Sequence, residues 1–322
     1  MYVKRIELRD FRNYHRADVA LSPTLNVLNG RNAQGKSNLL EAVAFLATAR
    51  SFRAAPTTDL IRQGAEALVV RGEIARADGE HTVAISCTVD KRQVVIDGRR
   101  SPQLARVLGL LNVVVIAPAD IAIVTGAPAV RRRALDVQIA QVDQTYLATL
   151  QGYQETLRPK NALLKGRHDE KTLDAFDDRL IEYGVRIAAT RREITRRVAL
   201  LGRLYLRRIT DGGEELSAEY RSEITGPDVE TMRARFAARL HAARRRERQF
   251  GYALVGPHRD DVVFGVNATD ARRFGSARSC RSSRAAARSS SPAPTRASST
   301  SAARTQRMQG GSPPARPSRR AM

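Results

Sequence analysis

The chain has 322 residues and carries 55 Lys+Arg against 33 Asp+Glu, a formal net charge of +22. That length allows one large domain or two ordinary ones, and no apolar run reaches the length of a signal-peptide core or a membrane span. Two cysteines, Cys87 and Cys280, lie far apart, and five histidines are scattered, which argues against a disulfide framework and against a Cys/His metal site. These features predict a cytoplasmic protein in a reducing compartment. Ten of the positive charges lie beyond Gly275, leaving +12 for residues 1–274. A basic body of that kind favours a polyanionic partner, nucleic acid before an anionic membrane, with a solvated charged surface as the plain alternative.

Val3, Ile6 and Leu8 alternate with charged residues and predict a strand with one buried face. "LNVLNG" (25–30) predicts a second short strand running into glycine. "KSNLLEAVAFLATA" (36–49) predicts a helix with Leu39, Leu40, Val43, Leu46 and Ala47 on one stripe. "ALVVRGEIA", "HTVAISCTV" and "RQVVIDG" predict an antiparallel meander, and "NVVVIAP" (112–118) predicts an apolar strand closed by Pro118. From Asp120 to Phe250 the pattern is helical, broken at "TDGGEE" (210–215) and "TGPD" (225–228). Its clearest stretch runs from Leu173 to Tyr205, with apolar residues at three- and four-residue steps. "GYALVGPHRDDVVFGVN", from Gly251, predicts two strands around a turn.

The expected organisation is a discontinuous head, residues 1–118 with 250–274, and an inserted helical arm, 119–249. Beyond Gly275 there is no Leu, Ile, Val, Phe, Tyr, Asp, Glu or Lys. Residues 275–322 are therefore expected to be a disordered, low-complexity tail. The body uses Arg almost in place of Lys, as a GC-rich gene does. An out-of-frame read of such a gene yields Arg, Ala, Ser, Pro and Gly, so the tail reads as translation in a shifted frame, with a natural disordered arm as the alternative.

"GRNAQGKS" fits G-x-x-x-x-G-K-[ST] and covers Gly30, Arg31, Asn32, Ala33, Gln34, Gly35, Lys36 and Ser37. Its glycines let backbone N–H groups turn inward around phosphate oxygens, and the helix that follows points its positive end at them. Lys36 supplies a point charge to the terminal phosphates, and the Ser37 hydroxyl can ligate Mg2+. The reading is phosphate binding, with Mg2+ reached through Ser37. An apolar run before and an amphipathic run after supply the required context, against the alternative of an ordinary glycine-containing loop. "VVVIAPAD" (113–120) superficially imitates a strand ending in a magnesium-binding acid. Pro118 and its flanking alanines displace Asp120 from the strand end, so Asp120 is not taken as a ligand.

"KRIELRDFRNY" and "LNVLNGRNAQGKSNLLEAVAFLATARSFR" resemble the RecF family of DNA repair proteins, relatives of the SMC heads within the ABC-type ATPases. "IAPADIAIVTGAPAVRRRALD", "YLATLQGYQETLRPKNALLK", "FDDRLIEYGVRI" and "YALVGPHRDDVVF" resemble its later blocks, in the same order, and together they span residues 1–274. The resemblance implies an α/β fold: a P-loop ABC-type ATPase head with an antiparallel β meander, plus an α-helical arm. It implies DNA binding at gaps and single-strand/double-strand junctions. It also implies support of RecA loading with RecO and RecR, and service in replication, recombination and the SOS response. It further implies a weak, DNA-stimulated ATPase that forms an ATP-dependent homodimer. The family's glutamine- and glycine-rich signature loop and its apolar strand ending in paired acids are absent from the sequence after "FGS". The competing reading is therefore a remnant that binds ATP and DNA nonspecifically without hydrolysis. A small-molecule P-loop kinase is a third, which the basic arm and long helices do not match.

Arg131, Arg132 and Arg133 are candidate DNA contacts, or else a solvated helix start. In "GPHRDD", Arg259 is the remaining DNA-contact candidate. Asp260 and Asp261 read as carboxylates capping a turn. Pro159, where the family carries Arg-Asn, is expected to kink or end its helix. His81 and His168 read as structural or exposed.

Overall fold

In the computed structural model, residues 1–53, 56–101, 104–166 and 170–273 are described. The tail expectation for 275–322 lies outside them, as do Cys280 and His168. Strand β1 (Tyr2–Phe11) pairs with β2 (Tyr14–Ala20) on one side. Val3 lies out of phase with Ile6 and Leu8, yet all three are buried. A register shift between Val3 and Arg5 reconciles them, because one extra residue exchanges the faces of a strand. Helix α1 (Lys36–Thr48) packs over the sheet.

Strands β3 (Ala67–Arg76), β4 (Gly79–Thr88), β5 (Arg92–Ile96) and β6 (Arg99–Ser101) form the expected meander and complete a six-stranded antiparallel sheet in the order β2-β1-β3-β4-β5-β6. Gly72 in β3 is where α1 comes closest. A Cβ there would lie 2.1 Å from Leu46 Cδ2, so glycine admits the helix. The stripe of α1 differs from expectation: Leu40 is exposed, whereas Glu41 and Phe45 are buried.

The helical segment comprises α2 (Ile121–Thr125), α3 (Pro128–Val142), α4 (Gln144–Leu163), the 40-residue α5 (Glu170–Ile209) and α6 (Val229–Phe250). Helix α4 runs through Pro159 for four further residues, contrary to expectation. Its last turn is held from outside. Lys160 is buried between Asp177 and Glu247, 2.7 Å from each, and the Asn161 side chain accepts from the Ala253 amide at 2.7 Å. These contacts offset the backbone bond that proline removes.

Strand β7 (Leu216–Arg221) was not read from the sequence. It pairs with β8 (Asp261–Val266), which pairs with β9 (Thr269–Asp270). Of the two strands expected around a turn from Gly251, the second is β8, whereas the first is absent and residues 251–260 are irregular throughout. Val255 and Val262 bury themselves with Ile181, Val185, Phe236 and Leu240 of the helices, whereas the six-stranded sheet draws its core from residues 3–111. Segment 251–273 thus packs with the helical part, because its strand partner lies between α5 and α6.

The two remaining expected strands, 25–30 and 112–118, are absent. Residues 111–117 alternate in burial with period two, as a half-covered strand does, but no described strand pairs with them. The Gln141 side chain substitutes at one position, accepting from the Val113 amide (2.7 Å) and donating to the Val113 carbonyl (3.1 Å). Among the described residues, nothing covers the apolar side chains on the open face: Ile116 is 92% exposed and Val27 78%. Unpaired apolar strand segments are sites of intermolecular association. Ile116→Lys should change stability by less than about 0.5 kcal/mol while suppressing aggregation on heating. Thermal melting beside light scattering checks both.

Candidate nucleotide and nucleic-acid site

The loop Gly30–Ser37 joins the unpaired segment 25–29 to the first turn of α1. Gly35 is the helix N-cap at φ 101°, and a Cβ there would lie 2.7 Å from the Asn13 side chain, so both backbone and space demand glycine. Asn13 braces the loop from the β1–β2 turn. It donates to the Gln34 carbonyl (3.3 Å) and accepts from Asn38 (2.8 Å). Lys36 folds back over the loop and donates to the carbonyls of Gly30 (2.6 Å) and Arg31 (2.7 Å). Apart from the turn at Asn32–Ala33, which brings the Gln34 amide toward the Arg31 carbonyl, no amide from Arg31 to Ser37 has a backbone partner among the described residues. Unpaired amides, an ammonium group and a helix N-terminus converge there, which is the donor set for phosphate oxygens. A cleft of about 580 Å³ alongside is lined by Arg12, Asn13, Asn38 and Arg62.

Beneath the loop sits a group that sequence reading missed. Glu41 is 0% exposed, four residues before Phe45 on the buried face of α1. Arg12 grips it with two nitrogens at 3.0 and 2.9 Å, Ser51 donates to it, and Arg53 approaches at 3.3 Å. Burial alone would raise its carboxyl, but the hydrogen bonds from Arg12 and Ser51 and the charges of Arg12 and Arg53 hold it below the usual range. Arg53 also donates to Asn38 at 2.9 Å, so this buried ion cluster orients the first turn after the loop. An acid inside an otherwise apolar helical stripe was the available signal.

The structure separates the arginine candidates. Arg131 is 3% exposed. It donates to both oxygens of Asp261, at 2.7 and 3.0 Å, and to the Gly126 carbonyl at 2.7 Å. Its charge is spent inside the fold, so it is not a surface contact for DNA. Arg132 is half-buried and donates to the Asp260 carbonyl at 2.6 Å. Arg133 is exposed, with no partner among the described residues. Arg259 is exposed; its guanidinium lies 5.1 Å from the Tyr252 ring centroid and donates to the Ala253 carbonyl at 3.2 Å. Asp260 is buried and accepts from the Tyr220 hydroxyl. Asp120 accepts from the Ala117 amide at 2.7 Å and caps its own turn. Among the described residues no cluster of His, Cys, Asp and Glu could hold a metal ion by itself.

His258 ties the turn to α4. Its Nε2 lies 3.2 Å from the Ala253 carbonyl, which only accepts, so Nε2 carries the hydrogen and Nδ1 accepts from the Tyr153 hydroxyl at 2.6 Å. Desolvation, opposed by the Ala253 bond and aided by the charges of Arg259, Arg132 and Lys160, lowers its pKa to about 4.

The RecF/RecN/SMC N terminal domain family matches residues 2–250. The chain is 39% identical over 282 residues to the DNA replication and repair protein RecF of Symbiobacterium thermophilum, covering 86% of this chain and 75% of that protein. It is 34% identical over 278 residues to the RecF of Streptococcus pneumoniae (strain ATCC 700669 / Spain 23F-1), covering 86% and 76%. Two solved structures of the recombination mediator protein RecF in the RecFOR pathway are also similar. The ATP form has a TM-score of 0.82 at 30% identity, covering 87% of this chain and 78% of that one. The ATPrS form has a TM-score of 0.80 at 30% identity, covering 87% and 77%.

The lowered pKa of His258 has a definite sign. An unfolded histidine takes up its proton near pH 6.5, and the folded one only near pH 4. Stability is therefore full above pH 6.5 and falls as pH drops from 6.5 to about 4, by at most roughly 3 kcal/mol. His258→Gln should flatten that limb in urea melts measured across the window.

Proposed function

This chain belongs to the RecF family of DNA replication and repair proteins, and we propose that it binds ATP–Mg2+ at Gly30–Ser37 and DNA through its basic surface. One observation carries the nucleotide reading: Lys36 and the amides left unpaired between Arg31 and Ser37 form one donor set at the N-terminus of α1. Gly30, Arg31, Asn32, Ala33, Gln34 and Gly35 form the cradle. Lys36 exchanges its two carbonyl partners for phosphate oxygens, and the Ser37 hydroxyl supplies one ligand to nucleotide-bound Mg2+. Glu41, Arg12 and Arg53 hold the first turn of α1 in place beneath them.

The DNA reading rests on the family and on the charge of +12 in residues 1–274. Gaps and single-strand/double-strand junctions are the proposed substrate. RecO and RecR are the proposed partners in RecA loading, and replication, recombination and the SOS response the proposed setting in the cytoplasm. Arg132, Arg133 and Arg259 remain the proposed contacts. The proposed division, a head and a helical arm over 119–249, places Arg133 and α5 on the arm.

A second reading is favoured by a specific observation. The glycine loop and its lysine are present, but residues 275–322 contain no acid, and no group of three or more His, Cys, Asp or Glu among the described residues is placed to hold a metal ion. Phosphoryl transfer depends on positioning and charge stabilisation, so such a cradle binds ATP without turnover or ATP-driven dimerisation.

Lys36→Ala removes a charge-assisted contact of about 1.5–3 kcal/mol and should weaken ATP at least about tenfold by calorimetric titration. Phosphate release with and without DNA separates the readings. Turnover that disappears in Lys36→Ala supports the active one, and background release with intact ATP binding supports the second.

Duplex binding by a chain ending at Phe274 should fall steeply with salt, by a log–log slope of about −0.9 for each phosphate neutralised. Fluorescence anisotropy between low and moderate salt measures it. Absence of binding at low salt reduces the basic body to a solvated surface.

A further inference from the structure

A cavity of about 570 Å³ lies where the far end of α1, strand β5 and helices α3, α4 and α5 meet the Gly256–Arg259 turn. It is not the P-loop. Lys36 opens α1 and Arg50 follows its last turn, so the two ends stand about 20 Å apart at 1.5 Å per residue.

The charges around this cavity do not balance. Arg50, Arg92, Arg132, Arg133 and Arg191 are among the residues that line it, and Asp136 is the one acidic residue in that lining. That carboxylate is already held by Arg191, at 2.8 Å to each oxygen, and by the Tyr146 hydroxyl at 2.5 Å. The other four guanidinium groups face no free carboxylate in the lining. Arg92 donates to the Ala49 carbonyl (2.6 Å) and to Thr57, and Arg132 to the Asp260 carbonyl (2.6 Å), all neutral acceptors. The side chains of Arg50 and Arg133, both exposed at the mouth of the cavity, have no hydrogen-bond or carboxylate partner among the described residues. Burial, then the charges of Arg133 and Arg92, push the Arg50 guanidinium below its ordinary range. Like charges gathered in a partly desolvated space repel one another, and an anion is what relieves them.

The remaining walls narrow the ligand. Leu108, Val137, Leu147, Leu150 and Ile187 are apolar, and Gln151 and Gln154 offer amides. A volume of this size is that of a small-molecule pocket and excludes a duplex. An arginine rim takes phosphate by planar, bidentate hydrogen bonding, while an apolar floor with amide groups takes a nucleobase and sugar.

We propose that this cavity is a second phosphate-recognition site, built for one nucleotide, with Arg50 and Arg133 as its unpaired phosphate ligands. The nucleotide is either free or the 5′-phosphorylated end of a DNA strand. The site requires neither the P-loop nor ATP, so its failure and the failure of the nucleotide reading above are separable.

The test uses the full chain carrying Lys36→Ala, which disables the P-loop. AMP, which lacks the β- and γ-phosphates that the P-loop lysine grips, is titrated calorimetrically into this chain and into the same chain with Arg50→Gln and Arg133→Gln. A second arm measures anisotropy of a single strand with a 5′-phosphate against the same strand with a 5′-hydroxyl. AMP binding that weakens at least about tenfold in the double variant identifies the free nucleotide. A 5′-phosphate preference that vanishes in the double variant identifies the strand end. The single variant Arg133→Gln, at an exposed position, repeats each arm with a smaller loss, so misfolding of the double variant leaves a result. If neither AMP affinity nor 5′-phosphate preference differs between the Lys36→Ala chain and the arginine variants, the proposal is overturned.

Discussion

Arg191 is the interaction on which the helical half of this protein depends. It is 3% exposed and projects from α5. Two of its nitrogens hold Asp136 of α3, it lies 3.0 Å from the Tyr146 hydroxyl of α4, and a third nitrogen donates to the Pro257 carbonyl at 2.7 Å. One side chain thus fixes three helices and the turn before β8. Desolvation works against its charge, but Tyr146, Asp136 and Tyr220 raise its pKa regardless. Breaking such a buried pair by removing one partner typically costs about 3–5 kcal/mol, because the other charge is left stranded. Arg131 with Asp261, and Lys160 with Asp177 and Glu247, repeat the pattern nearby. The helices are therefore aligned by directional ion pairs as well as by the apolar clusters around Phe236 and Tyr153.

The same economy governs the nucleotide cradle. Lys36 holds only loop carbonyls, which a phosphate can replace, because other residues carry the structural work. Glu41 is neutralised by Arg12 and Arg53, and Asn13 braces the loop from the neighbouring turn. Gly72 lets α1 settle onto β3. Preorganisation of this kind lets binding energy go to the ligand instead of to ordering the loop.

Where partners are missing, the physics is equally visible. Residues 111–117 keep the period-two burial of a strand, yet Val114 and Ile116 face solvent and a glutamine side chain stands in for one ladder partner. The cavity lined in part by Arg50 and Arg133 shows the electrostatic counterpart, two exposed guanidinium side chains without a carboxylate partner beside a fold that pairs its buried charges.

The sequence by itself determined what is local. Eight consecutive residues carry the proposed phosphate cradle, so that reading of Gly30–Ser37 needs no fold. Hydrophobic periodicity within single segments placed β1, the meander, α1 and α5. Only the tertiary structure decided the rest, because those outcomes depend on partners distant in the chain. Segments 25–30 and 112–118 look like strands, but a strand exists only against a neighbour. Strand β7 was hidden because its partner lies 40 residues away, across α6. Adjacent arginines that read alike were divided by contacts about 130 residues off: Asp261 took Arg131 inward, the Asp260 carbonyl took Arg132, and Arg133 was left free. Burial of Glu41 and the charge imbalance around Arg50 likewise arise only when the helices and the sheet have packed.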